Sequence, residues 1–250
     1  MGETLLALNE LSAWYTKEKD VLRGLSLQLA RYETVGLIGL NGAGKTTLLK
    51  TISGLISTYR AESVFFCGRP VNFRSREFKC QRYTVFAEDR SFAYFTFREY
   101  ISYVFAAYEK DISDAADDIE ELVEGFHFGN CADMLIGELS TGNRKKAFLI
   151  TGFALKPELL LLDEPVNGLD FQSTEYLYQK IAEYKKYGTV LFSSHILESV
   201  TLTSNRVLIL KDGQIRQTFE RETDGFETEQ IRQMLNRDSG CADRIQEEEK

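Results

Sequence analysis

The sequence predicts an α/β fold, in which a mostly parallel core sheet is joined by an N-terminal antiparallel β subdomain and an inserted α-helical subdomain. Three observations support this prediction. An apolar, β-branched run at 34–38 precedes a glycine-rich loop, and a second apolar run occupies 159–162. Helical spacing dominates between them, from about residue 92 to 156. Buried strands that alternate with helices are typical of a parallel sheet covered by helices.

The N-terminal segment predicts the small antiparallel sheet. Leu25, Leu27 and Leu29 alternate with polar or small residues, which is the spacing of a strand with one buried face. Residues 5–8 form another apolar run. We expect this run to be a strand that pairs beside the first one.

The loop after the first buried strand carries the strongest functional signal. Residues 39–47 read GLNGAGKTT. They match the phosphate-binding pattern G-x-x-x-x-G-K-[ST] at Gly39, Gly44, Lys45 and Thr46. A helical pattern follows, so strand, loop and helix come in the required order. The backbone N–H groups expected to converge on an anion are those of Asn41, Gly42, Ala43, Gly44 and Lys45.

The end of this loop predicts how a nucleotide would be held. A lysine at the position of Lys45 reaches the β- and γ-phosphates, and a hydroxyl at the position of Thr46 ligates Mg²⁺. The alternative interpretation is a glycine-rich turn before an ordinary helix. It does not explain why strand, loop and helix occur in this order.

Two adjacent carboxylates follow the second apolar run. Asp163 and Glu164 come directly after residues 159–162, at the carboxyl end of a predicted parallel strand, where phosphate loops also lie. An aspartate at this strand end holds the Mg²⁺ shell, and a glutamate after it can orient and partly deprotonate an attacking water. An acidic cap at the end of a strand is the other interpretation of the pair.

A histidine ends the next predicted strand. Residues 189–194 form a mostly apolar run, and His195 follows it, within reach of a γ-phosphate or an attacking water. A structural histidine at the end of a strand is the alternative. The other histidine, His127, has no such setting, and we expect no functional role for it. Residues 207–210 predict a last core strand, which turns through 211–214 into a hairpin.

The region between the two apolar runs predicts the helical subdomain. Residues 100–105 and 117–123 have helical spacing. Aromatic residues cluster from 86 to 105. Exposed aromatic patches mark partner interfaces, whereas aromatic residues at helical spacing are usually core. Both interpretations of this cluster remain open at this point.

Composition limits the classes of function. A chain of 250 residues with 43% hydrophobic composition can bury a large core and fits one compact domain. The net charge is −8, and residues 219–250 hold ten acidic and five basic residues, which disfavours nucleic acid as a partner. The four cysteines are scattered without a CxxC pair, so we expect reduced thiols and no metal cluster.

Neither an export signal nor a membrane span is predicted. The N-terminus carries acidic residues and lacks a basic start followed by a long apolar stretch. No run approaches the roughly twenty consecutive apolar residues that a transmembrane helix needs. From the sequence, we expect the chain to be soluble by itself.

Several motifs in order and spacing make the chain similar to the ATP-binding cassette family over residues 5–217. The sequence LSTGN at 139–143 resembles the family signature LSGGQ, and Arg144 and Lys145 continue it. Residues 168–170 resemble the loop that joins the two active sites of a cassette dimer. The phosphate loop, the carboxylate pair and His195 also match.

The resemblance implies a P-loop NTPase fold with a RecA-like core. In that fold the cassette occupies residues 1–218. The core would consist of 1–88 and 157–218, and the helical subdomain would lie at about 89–156. Residues 219–250 would form an acidic C-terminal extension.

The family also implies a role for each matching residue, with ATP as the nucleotide and Mg²⁺ as the metal. The catalytic residues would be Glu164, His195 and Lys45, and the metal ligands would be Thr46, Glu88 and Asp163. The chain's own nucleotide would be bound by Tyr15, or by Trp14 in its place, and by Gly39, Asn41, Gly42, Ala43, Gly44, Lys45, Thr46 and Thr47. Ser140 and Gly142 would bind the nucleotide of a partner.

In this family two cassettes enclose two ATP molecules, and their closing and opening drives a membrane subunit. The implied partners are therefore a second cassette, identical or different, and a separate transmembrane permease. The nearest likeness is to the separate cassette subunits of bacterial ABC-2-type exporters, which sit in the cytoplasm, peripherally on the inner face of the membrane. Alternatives are a soluble cassette ATPase, such as an iron–sulfur assembly factor, and a nucleotide-sensing partner with little turnover.

Three residues depart from the family pattern. Glu88 stands where a glutamine usually senses the γ-phosphate, and it adds a negative charge there. Thr141 replaces a glycine of the signature and brings a β-branched side chain. Asn143 replaces a glutamine and is one methylene shorter. These departures predict a signature of altered strength.

Overall fold

The computed structural model describes residues 2–16, 19–221, 225–226 and 228–236. Residues 237–250 of the predicted acidic extension lie outside these ranges. The strands within them are β1 (Thr4–Thr16), β2 (Lys19–Ala30), β3 (Thr34–Ile38), β4 (Tyr59–Arg60), β5 (Ser63–Phe66), β6 (Arg69–Pro70), β7 (Arg82–Val85), β8 (Leu159–Asp163), β9 (Thr189–Ser194), β10 (Arg206–Lys211) and β11 (Gln214–Glu220).

Helices cover the sheets and fill the interval between β7 and β8. Short 3-10 turns lie between some of them. The α-helices are α1 (Lys45–Ile52), α2 (Arg76–Lys79), α3 (Phe97–Ala107), α4 (Ala116–Gly125), α5 (Thr141–Leu155), α6 (Phe171–Glu183), α7 (Leu197–Thr203) and α8 (Thr228–Asn236).

The core sheet confirms the predicted α/β fold. Its strand order is β11-β10-β3-β9-β8-β7, and all neighbouring pairs are parallel except the β10–β11 hairpin. The predicted strand at 34–38 is β3, and the run at 159–162 is β8, which extends by one residue to Asp163. Each of β3, β8 and β9 is buried along its whole length, as expected for a sheet with helices or a second sheet on both faces.

The register of the three central strands brings their carboxyl ends level. Ile38 of β3 pairs with Ser194 of β9, and Asp163 of β8 pairs with Ser193 of β9. The residues that follow these strands therefore leave the sheet at one edge. This edge is where phosphate and metal ligands assemble in open α/β sheets.

A second, antiparallel sheet is built on the N-terminal strands, as predicted. Its order is β2-β1-β5-β6, and β4 also pairs with β1. Leu25, Leu27 and Leu29 of β2 are buried and the residues between them are exposed, so the alternation identified the inner face correctly. The sequence did not predict β4, β5, β6 or β7. Strands of two to four residues are too short to show a period.

The core sheet separates two hydrophobic clusters. Leu160 and Leu162 of β8 face a cluster formed with the helices, whereas Leu159 and Leu161 face a cluster shared with α1 and the antiparallel sheet. All four leucines are fully buried, and each contributes about 1.5–3 kcal/mol by removal from water. Two-sided burial explains why β8 is a continuous apolar run.

The helical region contains the two helices predicted at 100–105 and 117–123, which are parts of α3 and α4. Thr96 and Glu99 form a capping box that sets the start of α3. The aromatic residues clustered from 86 to 105 are partly core and partly exposed, so each of the two interpretations, core packing and partner docking, applies to some of them. Phe97, Tyr100 and Phe105 are core residues of this region. Exposed members, which include Phe92, Tyr94 and Tyr103, keep the docking interpretation open.

Helix length and polarity also bear on membrane insertion. Across the described ranges, none of the helices combines the length and the apolar composition that a bilayer crossing requires.

Gly36 provides a test of how closely α7 packs on β3. A Cβ at Gly36 would lie 2.1 Å from Cγ1 of Val200 and 2.6 Å from Oγ of Ser204. We therefore expect Gly36→Ala to lower the free energy of unfolding by about 1–3 kcal/mol through overpacking, measured by urea denaturation. Gly129→Ala is the control, because its nearest neighbour would be 4.0 Å away. Equal stability of the two variants would contradict this packing.

Candidate functional site

The phosphate-binding loop connects β3 to α1 at the carboxyl edge of the core sheet. Gly44 is the N-cap of α1, with φ of 111°, and Gly42 has φ of 82°, so both need the conformational freedom of glycine. The first turn of α1 leaves the N–H groups of Lys45, Thr46 and Thr47 without partners inside the helix. Unpartnered N–H groups at a helix N-terminus are suited to bind an anion.

Within the loop, two further features shape the backbone. A Cβ at Gly39 would lie 2.3 Å from the carbonyl oxygen of Leu210, so only glycine fits there. The amide of Ala43 donates to the carbonyl oxygen of Leu40 at 3.1 Å. The Ala43 amide therefore holds the shape of the loop here, whereas the sequence predicted that it points at the anion.

Lys45 lies across the loop with its ammonium buried. Its Nζ donates to the carbonyl oxygen of Gly39 at 2.7 Å and is 3.6 Å from Oε1 of Glu164. The side chain is about 7% exposed, so this positive charge is little screened by water. Lys45 thus links the loop to the carboxylate that follows β8.

Asp163 is held by two hydroxyl groups. Oγ1 of Thr46 donates to Oδ1 of Asp163 at 3.1 Å, and Oγ of Ser193 donates to the same oxygen at 2.7 Å. The predicted metal ligands Thr46 and Asp163 are therefore adjacent. Their oxygens fit Mg²⁺, which takes oxygen ligands, uses one or two carboxylates and completes its shell with waters and phosphates.

Ser193 was missed by the sequence analysis, although it contacts both carboxylate residues. Besides binding Asp163, its Oγ accepts the backbone N–H of Glu164 at 3.0 Å. A signal was present: Ser193 and Ser194 are polar residues at the end of a strand that is buried throughout and otherwise mostly apolar. Polar side chains in such a strand must find partners, and here the partner is Asp163.

Glu164 lies between a lysine and a histidine. Oε2 of Glu164 is 2.8 Å from Nδ1 of His195, and Oε1 faces Nζ of Lys45. An ionised carboxylate only accepts hydrogen bonds, so the contact with His195 requires a proton on Nδ1. The Glu164 side chain is 12% exposed, and its backbone has φ of 46°, in the left-handed region. Non-glycine residues in that region are enriched at functional sites.

The signature segment lies at the start of α5 and contacts the loop that follows Glu164. Ser140 is the N-cap of α5, and its Oγ accepts the N–H of Asn143 at 3.2 Å. A Cβ at Gly142 would lie 2.2 Å from the carbonyl oxygen of Gly168, so the two backbones are in close contact. Ser140 and Gly142 are the two residues predicted to face a partner's nucleotide. Gly142 packs against the loop at 168–170, which the family resemblance describes as the loop that joins two active sites.

Two buried lysines of α5 extend this connection. Nζ of Lys145 donates to the carbonyl oxygens of Glu164 and Asn167 at 2.9 and 2.7 Å. Nζ of Lys146 pairs with Oδ2 of Asp170 at 2.7 Å. Burial lowers the pKa of Lys145, while the nearby carboxylates of Asp163, Glu164 and Glu88 act in the opposite direction.

The remaining predicted residues lie at the margin of this cluster. The hydroxyl of Tyr15 is 3.4 Å from Oγ1 of Thr47, and the ring is largely exposed beside the phosphate loop. Glu88 is exposed and lines a cavity of about 100 Å³ together with Thr141 and Lys145. His127 is exposed at a turn after α4.

Comparisons with known proteins were made for the whole chain. The sequence model of the ABC transporter family matches residues 22–167. The putative ABC transporter ATP-binding protein AlbC of Bacillus subtilis is 36% identical over 229 residues, covering 88% of this chain and 95% of that protein. Nod factor export ATP-binding protein I of Burkholderia lata is 33% identical over 198 residues. The match covers 78% of this chain and 64% of that protein.

Solved structures give the same result for the fold. The structure of an ATP-binding subunit of an ABC transporter superposes with a TM-score of 0.80 at 26% identity, covering 93% of this chain and 94% of that one. A dimeric bacterial ABC transporter cassette superposes with a TM-score of 0.76 at 19% identity, covering 86% and 98%. At that lower identity, the second likeness supports the fold alone.

The ion pair between Lys146 and Asp170 can be tested through the pH dependence of the free energy of unfolding. Lys146, together with the N–H of Ser173, holds the pKa of the Asp170 carboxyl well below its usual range. A lowered carboxyl pKa stabilises the fold above about pH 4, and this contribution is lost as the pH falls further. Asp170→Asn keeps a helix cap and removes the charge. Because half of Asp170 is exposed, we expect a loss of about 1 kcal/mol at pH 7.

The measurement is urea denaturation of both proteins at pH 7, 5 and 4. The stability difference between them should be constant from pH 7 to 5 and should shrink at pH 4, where the carboxyl of the unfolded chain begins to bind protons. In a Lys146→Met background, the pH-dependent part should shrink to what the hydrogen bonds from Ser173 sustain. A difference that grows as the pH falls would contradict the assignment.

Proposed function

From the premise that this chain belongs to the ABC transporter family and is one of its ATP-hydrolysing nucleotide-binding subunits, we propose that it powers export through a separate transmembrane permease. The family membership rests on the family match and on AlbC, with which it shares most of its length. Export is supported by the Nod factor export protein among its relatives. The relatives and structures described above do not point to the iron–sulfur assembly alternative.

The arrangement around Glu164 carries the proposed mechanism. We assign Lys45 and the N–H groups at the start of α1 to the phosphates of ATP, so that Nζ of Lys45 exchanges the carbonyl oxygen of Gly39 for phosphate oxygens. We assign Thr46 and Asp163 to Mg²⁺. When bound, this ion neutralises the negative charge that develops on the phosphate oxygens. Tyr15, beside Thr47, is assigned to the adenine ring.

Glu164 is the proposed general base for the attacking water. Its carboxylate is nearly buried, and Lys45 and His195 hold one oxygen each. A carboxylate fixed in this way can orient a water molecule and accept its proton as the phosphoryl group is transferred. His195, through the proton on Nδ1, sets the direction of the carboxylate, and we propose that it acts on the water through Glu164.

The proposed assembly is a pair of cassettes with two nucleotides between them. The N-terminus of α5, with Ser140 as its cap, and Gly142 beside it form a second anion site in the chain. We assign this site to the nucleotide of the second cassette, which is another copy of this chain or a related one. ATP binding then closes the pair, and hydrolysis opens it. We place the moving helical subdomain at about 89–156.

A groove beside the helical region is the proposed contact with the permease, on the cytoplasmic face of the membrane. The groove has a volume of about 430 Å³, and among its lining residues are Leu55, Lys79, Ala107 and Tyr108. Leu55 is 65% exposed. The exposed aromatics Tyr94 and Tyr103 belong to the same helical region. Apolar side chains with cationic neighbours suit a helix that emerges from a membrane protein.

The catalytic assignment is tested by Glu164→Gln. Removal of the base should lower the ATP turnover number by about 100-fold or more, while ATP affinity is retained. Because ATP then stays bound, the variant should accumulate a dimer that size-exclusion chromatography detects. The two histidines provide a matched pair: His195→Gln should lower turnover, and His127→Gln should leave it unchanged. Turnover by Glu164→Gln at the rate of the natural protein would refute the assignment.

The docking assignment is tested by Leu55→Arg. A cation in the groove should abolish recovery of a polytopic membrane protein when the tagged chain is purified from a detergent extract, because it blocks apolar contact. ATP hydrolysis by the isolated chain should not change. Leu202→Arg is the matched control, since Leu202 is also 65% exposed but lies on α7. If both variants recover the membrane protein equally, the contact lies elsewhere.

A further inference from the structure

Lys145 is a buried cation in the middle of the site whose role the proposed mechanism does not explain. Only 3% of the residue is exposed. Its ammonium group donates to two backbone carbonyl oxygens, those of Glu164 and Asn167, and both are electrically neutral. Burial of a charge without an anionic partner at hydrogen-bond distance costs free energy. Two benefits of the Lys145 charge would offset this cost.

The first gain concerns the backbone of Glu164. The turn from Glu164 to Asn167 is closed by a long hydrogen bond of 3.3 Å from the N–H of Asn167 to the carbonyl oxygen of Glu164. Lys145 bridges the two ends of this turn. Since Glu164 has a left-handed φ, the bridge holds a conformation that the chain rarely adopts by itself.

The second gain is the balance of charge. Asp163, Glu164 and Glu88 all act electrostatically on Lys145. Glu88 and Lys145 line the same cavity. The family resemblance implies that Glu88 takes the place of the residue that senses the γ-phosphate. A carboxylate there repels a triphosphate unless a cation compensates it.

Two other cations line this cavity, and neither replaces Lys145. Arg144 donates from Nε to the carbonyl oxygen of Ile136 at 3.1 Å and from Nη2 to that of Leu139 at 3.0 Å, so its guanidinium is engaged by the turn before α5. Arg90 is exposed to solvent, where its charge is screened. Lys145 is the buried cation of this cavity within the described chain.

We propose that Lys145 is a positioning residue that fixes the backbone of Glu164 from the signature helix and whose charge allows ATP to bind beside Glu88. The two effects act on different kinetic constants. The backbone bridge sets the direction of the base and so determines kcat, whereas charge compensation determines the KM for ATP. This inference rests on the proposed hydrolysis at Glu164.

The test is a set of variants measured for steady-state ATP hydrolysis. Lys145→Met keeps the length of the side chain and removes its charge and donors. We expect kcat to fall about 10- to 100-fold, the usual cost of losing a supporting hydrogen bond at a catalytic group, and the KM for ATP to rise about tenfold. Glu88→Gln in the Lys145→Met background should restore KM and leave kcat low.

Lys145→Gln provides a second variant if Lys145→Met does not fold, and it separates the same two effects. Its amide keeps a donor without the charge, so kcat should recover in part while KM stays raised. Lys110→Met is the control. Nζ of Lys110 also donates to a backbone carbonyl, that of Leu155 at 2.6 Å, but it lies outside the site, so both constants should stay at the natural values.

The outcomes distinguish this inference from the proposed function. If Glu164→Gln abolishes hydrolysis but Lys145→Met keeps the natural kcat and KM, the role of Lys145 is wrong and the general base stands. If KM rises in Lys145→Met and Glu88→Gln does not restore it, the charge compensation is wrong. If Glu164→Gln hydrolyses ATP normally, the proposed function itself fails.

Discussion

The in-register pairing of β3, β8 and β9 is the constraint on which the site depends. Because Ile38 and Ser194 are partners, and Asp163 and Ser193 are partners, three segments distant in sequence leave the sheet together. The hydroxyls of Thr46 and Ser193 then converge on one oxygen of Asp163, and this contact joins the phosphate loop to two strands. A slip in register would separate these groups.

Charge is arranged around Glu164 so that each oxygen of its carboxylate faces a different partner. Nζ of Lys45 is 3.6 Å from the carboxylate, beyond hydrogen-bond distance, while His195 makes the direct contact. Lys145, on α5, donates a hydrogen bond to the backbone carbonyl oxygen of Glu164. The carboxylate is therefore fixed at both its oxygens and its main chain, which reduces the reorganisation needed during proton transfer.

Parts of this arrangement were predictable from sequence because they are local. The loop at 39–47 and the pair Asp163–Glu164 are contiguous motifs flanked by their own strands, and the alternation in β2 gave its buried face. Ser193 and Lys145 were not assigned roles, since their partners lie 30 and 19 residues away and are chosen by register and helix packing. The strands from β4 to β7 were missed because packing, and not a repeating pattern, specifies them.

The alternating leucines of β8 have a further consequence for the whole molecule. Leu160 and Leu162 belong to one hydrophobic cluster, and Leu159 and Leu161 belong to the other. The single strand β8 therefore contributes side chains to both clusters. Neither cluster can be loosened without exposing the sheet that closes the other. The antiparallel sheet and the helical region are thus parts of one cooperative folding unit, and cutting the chain between them leaves two fragments that each lack a side of their core.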